Sequence, residues 1–279
     1  MKRVLMVLLL TVVPMMGFSL FESDKGSDKE YLHLVSSVKD VVVSTQKTRG
    51  LTNSFMNGNV TAQLLVFGQR EQMLKDFERI QKALKEAKTP EAYVQEADAL
   101  MKQLKVLNKK AFKRDSAEVF ADYTSVIEAW IALNGKIIDS QFKSGDEEIY
   151  LAVSTLNNTL LPLTENIGKL RGMGSGIVAR HVCQPEETPK MQRFVSNIEM
   201  YRIKMKAYLQ KHALQTLSKA ELAEINQKIA DYTTLTQEEV IGREEITLDA
   251  NKFFDQGTAC IGGVLRVYSA LESDIMKKL

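Results

Sequence analysis

Cysteine, histidine, proline and tryptophan are all scarce in this 279-residue chain, at two, three, five and one. Three dispersed histidines (His33, His181, His212) and two cysteines do not make up a common zinc ligand set. His181-x-Cys183 could begin one, but no Cys/His cluster completes it. No metal and no other cofactor is expected. Charge of one sign is also missing. The formal net charge is +2, and Lys2 and Arg3 are the only charged residues before residue 20, so the remainder is neutral. A neutral chain offers no electrostatic case for nucleic acid. There is no P-loop, no dinucleotide fingerprint and no paired acids for proton transfer. Gly174-Ser175-Gly176 lacks the strand-turn-helix setting of a nucleophilic serine. Nothing argues for an enzyme. No β-rich alternating run occurs either, and beyond the N-terminus no stretch is apolar enough to span a bilayer.

The N-terminus itself is apolar. Lys2-Arg3, the run Val4 to Val13 and the small residues of Gly17-Phe18-Ser19 read as a cleavable signal over residues 1–19. Residues 20–279 are then a periplasmic or secreted protein; an uncleaved N-terminal anchor is the alternative. In that oxidising setting Cys183 and Cys260 could form a disulfide, or be two small buried side chains.

The rest reads as all-α, a bundle of long helices. Apolar residues recur at three- and four-residue steps. The longest such seam, Val153, Leu156, Leu160, Leu163, Ile167, Leu170, Gly174 and Ile177, predicts one helix from about 147 to 182, kinked at Pro162. Other helices are expected at about 29–56, 61–88 (with Leu64, Leu65 and Phe67 on its apolar face), 89–112, 115–142, 190–214 and 218 onward. A segment at about 237–246 and a last helix at 250–278 follow. Aromatic residues of the fourth helix, Phe120 among them, are most simply core. Gln184-Pro185-Glu186-Glu187-Thr188-Pro189 marks the expected boundary between two sub-bundles.

Two arginines interrupt this pattern. In the first helix the seam Val35, Val38, Val42 continues onto Thr45, Arg49 and Thr52. In the fifth, a stripe of Thr164, Gly168, Arg171, Ser175 and Val178 runs beside the main seam. A guanidinium does not shed its proton inside a protein, so at a buried position it needs an anionic or carbonyl partner. Either the chain supplies an acid, such as Glu165 or Glu128, or an anion comes from outside. Gly50, Gly172 and Gly174 clear space beside the arginines for close approach. Gln46 and Asn53 share a face with Arg49, and Ser175 shares one with Arg171; all three could donate to a small planar oxyanion.

Three blocks extend this reading: Gln46-Lys47-Thr48-Arg49-Gly50-Leu51-Thr52, Ile167-Gly168-Lys169-Leu170-Arg171-Gly172-Met173-Gly174-Ser175-Gly176, and Phe253-Phe254-Asp255-Gln256-Gly257-Thr258-Ala259-Cys260-Ile261. Together and in this order they resemble the nitrate- and nitrite-sensing (NIT) domain. The resemblance implies two stacked four-helix bundles and anion contacts from Arg49 and Arg171. Thr48 and Lys47 depart from it, standing where glutamate and arginine are common. It further implies a nitrate or nitrite receptor that reports to a membrane-bound sensor or transducer, as a monomer or a homodimer. The competing expectation is a helical envelope adaptor that keeps the scaffold without the ligand.

Overall fold

The computed structural model describes residues 27–142 and 144–279; the expected signal at 1–19 lies outside them. Every regular element among the described residues is helical. Capping side chains define several starts, because the first N–H groups of a helix lack partners within it. Ser27 opens α1 (Asp28–Met56) with a reciprocal pair to Glu30. α2 spans Ala62–Glu86. Pro90 stands one place before α3 (Glu91–Lys110) rather than inside it. Asp115 caps α4 (Ser116–Gln141) and Asp146 caps α5 (Glu147–Thr155). Ser218 and Glu221 form the capping box of α8 (Lys219–Glu239), and Asp249 caps α9 (Ala250–Lys278).

The helix expected at 147–182 is continuous in path but not in winding. A π-helical turn, Leu156–Leu160, separates α5 from α6 (Leu161–Ala179). Pro162 has no N–H to give, and its ring crowds the carbonyl four residues back. The wider turn just before it absorbs that conflict, and the Leu161 N–H reaches back to Leu156 instead.

α1 packs on α2 and α4, and α3 on α4, making one group of four helices. α6 packs on α7 (Thr188–Lys211) and α9, and α8 on α7 and α9, making a second. α1 against α6 joins them. The division therefore falls between α4 and α5, not at 184–189. The chain does leave the helix there, α6 ending at Ala179 and α7 opening at Thr188 with Pro189 in its first turn, but these two helices pack on each other. The segment expected at 237–246 is also corrected: α8 runs to Glu239 and an extended loop follows. That loop pairs with the α6–α7 turn, Cys183 donating to the Arg243 carbonyl and Ile246 to that of His181.

Apolar burial follows the seams, from Val35, Val38 and Val42 on α1 to Leu163, Ile167 and Leu170 on α6, all fully buried. α2 differs from expectation. Its buried face runs through Val66, Met73, Phe77, Ile80 and Leu84, and leaves Leu64, Leu65 and Phe67 exposed. No helix among the described residues is long and apolar enough to cross a membrane.

Candidate functional site

Both arginines are buried where α1 and α6 meet, Arg49 at 1% and Arg171 at 4% exposure. They sit across from one another's glycines. A Cβ on Gly168 would come within 3.1 Å of Arg49 Nη2, and one on Gly50 within 3.4 Å of Arg171 Nη2. Two cations from distant parts of the chain thus converge, but their partners differ.

Arg49 is neutralised by the protein. Its Nη1 donates to Glu165 Oε1 at 2.6 Å and its Nη2 to Glu165 Oε2 at 3.2 Å, a forked pair with both residues buried. Nη1 also reaches Thr124 Oγ1 at 2.8 Å, and the guanidinium lies 4.8 Å from the centre of the Phe120 ring. Glu165 is held further by Gln46, whose Nε2 donates to Oε2 at 3.0 Å. The other acid considered, Glu128, binds Lys169 at 2.6 Å.

Arg171 has no acid against it. Its Nη1 donates to Thr258 Oγ1 at 2.9 Å, and its guanidinium stacks 4.5 Å from the Phe254 ring centre. Its Nε is buried without a partner. Burial pushes the guanidinium down to about 10, with nearby Arg49 adding to the effect, so it stays charged at neutral pH. The hydroxyl of Tyr232 is also buried without a partner, and desolvation raises it well above the ordinary tyrosine range. It remains a neutral phenol and gives Arg171 no counter-charge. α9 crosses the stem of Arg171 at Gly257, where a Cβ would fall 2.9 Å from Arg171 Cβ and Cγ and 2.8 Å from the Tyr232 oxygen. Only glycine fits that crossing.

Gly50 and Phe254, which lie against Arg171, also line a cleft of about 550 Å³ with Asn53, Gly172, Ser175, Gly176 and further residues of the α1–α2 turn; Arg171 itself is not part of the wall. This volume falls in the range of small-molecule sites, about 300–1,000 Å³. Asn53 lines it while donating to the Gly172 carbonyl at 3.1 Å. Ser175 lines it too, but its hydroxyl is turned back to the Arg171 carbonyl at 2.7 Å. Gln46 faces Glu165 instead of the cleft. Gly172 packs under Phe120. Gly174 points away, against Phe253, whose ring would sit 2.5 Å from an added Cβ.

Of the two readings open for the cysteines, the disulfide is not formed. Cys183 and Cys260 are separate buried thiols, the first near the Gln184 carbonyl and Thr188, the second donating to the Lys228 carbonyl at 3.4 Å. Each is held by its own local acceptor, on elements that do not bring the sulfurs together. Among the described residues no cluster of three metal-binding side chains occurs.

Phe120, Thr124, Phe254 and Thr258 were not singled out from sequence as site residues. The signal was available: Phe-x-x-x-Thr occurs in α4 and again in α9, and four residues is one turn of a helix.

The sequence profile described as nitrate and nitrite sensing matches residues 40–276, most of the chain. The protein belongs to that family. No curated protein matches it. Among solved structures it is similar to the NasR transcription antiterminator, with a TM-score of 0.71 over 90% of this chain and 69% of that one, at 16% identity. This second likeness is one of fold. Of the two arginines expected from the sequence to contact an anion, one is already paired with an acid of the protein and the other is not.

Proposed function

We propose that the protein is an extracytoplasmic receptor for a small planar monoanion, nitrate or nitrite, that signals through a partner protein. Family membership supports the ligand class, and the observation that carries the reading is Arg171. It is a buried, charged guanidinium with no acid against it, and two residues packed on it, Gly50 and Phe254, line a cleft large enough to admit an anion and its water. An ion that enters from the cleft past Phe254 accepts from the free side of a rigid fork of donors. It sits against the Gly50 backbone of α1, with Phe254 over the guanidinium and Asn53 at the rim.

A mechanism in which two free cations repel each other until an anion enters does not suit this site, because Glu165 already cancels Arg49. The anion instead adds a contact across the junction of α1 and α6, the helices that join the two groups of four. A ligand shifts such an arrangement by its differential affinity for the two placements. A partner contacting both groups would then read occupancy.

The adaptor reading draws support from the Arg49–Glu165 pair, which is what a ligand-free scaffold requires. It leaves Arg171 unexplained. Calorimetric titration with nitrate, nitrite, chloride and sulfate separates the two. Heat and thermal stabilisation with nitrate or nitrite, absent in Arg171→Met, are the expected result. No response to any of the four anions rejects the receptor.

A further inference from the structure

The surroundings of Arg49 and Arg171 are copies of one arrangement. Each guanidinium lies over a phenylalanine and donates through Nη1 to the threonine one turn further on: Phe120 and Thr124 on α4, Phe254 and Thr258 on α9. Each threonine in turn donates to the carbonyl of its phenylalanine. Each arginine extends Nη2 toward a glycine on the other arginine's helix. One difference breaks the match. Arg49 is met by Glu165, which lies six residues before Arg171; six residues before Arg49 the chain carries Val43.

Glu165 is gripped as a planar oxyanion. Three N–H groups converge on its two oxygens, from Arg49 Nη1 at 2.6 Å, Arg49 Nη2 at 3.2 Å and Gln46 Nε2 at 3.0 Å. A carboxylate and a nitrate are both flat, singly charged and edge-accepting, so the same donors suit either. The charge balance has the same implication. Arg49, Arg171 and Glu165 together carry +1. The other cation nearby, Lys169, is 3.9 Å from Glu165 but bound to Glu128 at 2.6 Å.

We propose that Glu165 is a built-in anion filling one of two duplicate arginine sites, and that it thereby sets the receptor to take a single monoanion at Arg171. The proposal rests on the receptor reading above. A monoanion at Arg171 brings the buried group to neutrality. A dianion leaves one negative charge without a partner away from water, which is strongly unfavourable.

Glu165→Gln tests this, since it keeps the side-chain shape and an acceptor for Arg49 while removing the charge. Titrations use sodium nitrate and sodium sulfate as probes. Wild-type protein should take one nitrate and bind sulfate more weakly by about tenfold or more. In E165Q sulfate affinity should rise by about tenfold or more. A folded E165Q whose sulfate affinity is unchanged overturns the proposal. Glu165→Ala removes the carboxylate altogether and should take two nitrates per chain; a stoichiometry of one overturns it. Should either variant unfold without anion, nitrate should restore its helical circular dichroism, and failure to do so counts against the proposal equally. Nitrate binding to E165A but not to the wild type would sink the receptor reading while leaving the built-in anion in place.

Discussion

Replacing each arginine by methionine should move stability in opposite directions, although both are buried and both are cations. Arg171 has its guanidinium lowered from its ordinary value to about 10, chiefly by burial. A drop of more than two pH units, at about 1.4 kcal/mol each, corresponds to about 3 kcal/mol spent in holding the charge at neutral pH. Against this stand the Thr258 hydrogen bond, about 1 kcal/mol, and the Phe254 contact, about 0.5–2 kcal/mol. Methionine and arginine have similar helix propensities. Arg171→Met is therefore expected to fall between neutral and about 2 kcal/mol more stable. Arg49→Met instead strands Glu165 without its cation, at a cost of about 3–5 kcal/mol. For a protein of this size each kcal/mol moves Tm by about 2–4 °C, so the two variants should differ by roughly 6 °C or more. Melts followed by far-UV circular dichroism, with and without nitrate, read both quantities. Nitrate at about 100 times its Kd should stabilise the wild type by about 2.7 kcal/mol and leave Arg171→Met unmoved. A Tm for Arg171→Met more than about 5 °C below wild type, or a nitrate response surviving in it, refutes the reasoning.

Further outcomes follow from the same contacts. Nitrate affinity should stay flat across neutral and mildly alkaline pH, because Arg171 keeps its proton there although burial lowers its hold on it; a step in affinity in titrations over that range counts against the assignment. Gly174→Ala drives a methyl into the buried Phe253 ring, and overpacking of about 1–3 kcal/mol outweighs the helix-propensity gain of about 1 kcal/mol. Urea unfolding should show a net loss of about 1 kcal/mol with nitrate binding kept. Unreduced, denatured protein should take two alkylating groups by mass spectrometry. In the native state Cys260 should react slowly, since burial pushes its thiol up to about 12 and only the thiolate attacks.

Much of this was legible in the sequence because it is local. Helix limits follow from residues that satisfy their own neighbours' N–H groups, as Ser218 and Glu221 do for α8. The seam of α1 is buried as its spacing predicts, through Arg49 to Thr52. The blocks around Arg49 and Arg171 were enough to suggest the family. Less local expectations failed in instructive ways. Leu64, Leu65 and Phe67 are apolar and helical, but whether a face is covered depends on a neighbour the sequence does not show. The break at 184–189 is real as chain chemistry and wrong as a boundary, because a helix ends without reference to what it will pack on.

The sequence by itself determined that two permanently charged side chains would be carried into the interior, since the helical repeat places them on buried stripes and guanidinium chemistry keeps them ionised. Only the tertiary structure decided that they are unequal. Glu165 precedes Arg171 by six residues but answers Arg49, more than a hundred residues away, because α6 lies against α1. Phe120 and Phe254 come to lie over guanidiniums because α4 packs on α1 and α9 on α6. Charge and helical phase are properties of a segment, whereas a counter-ion is a property of whatever segment packs opposite.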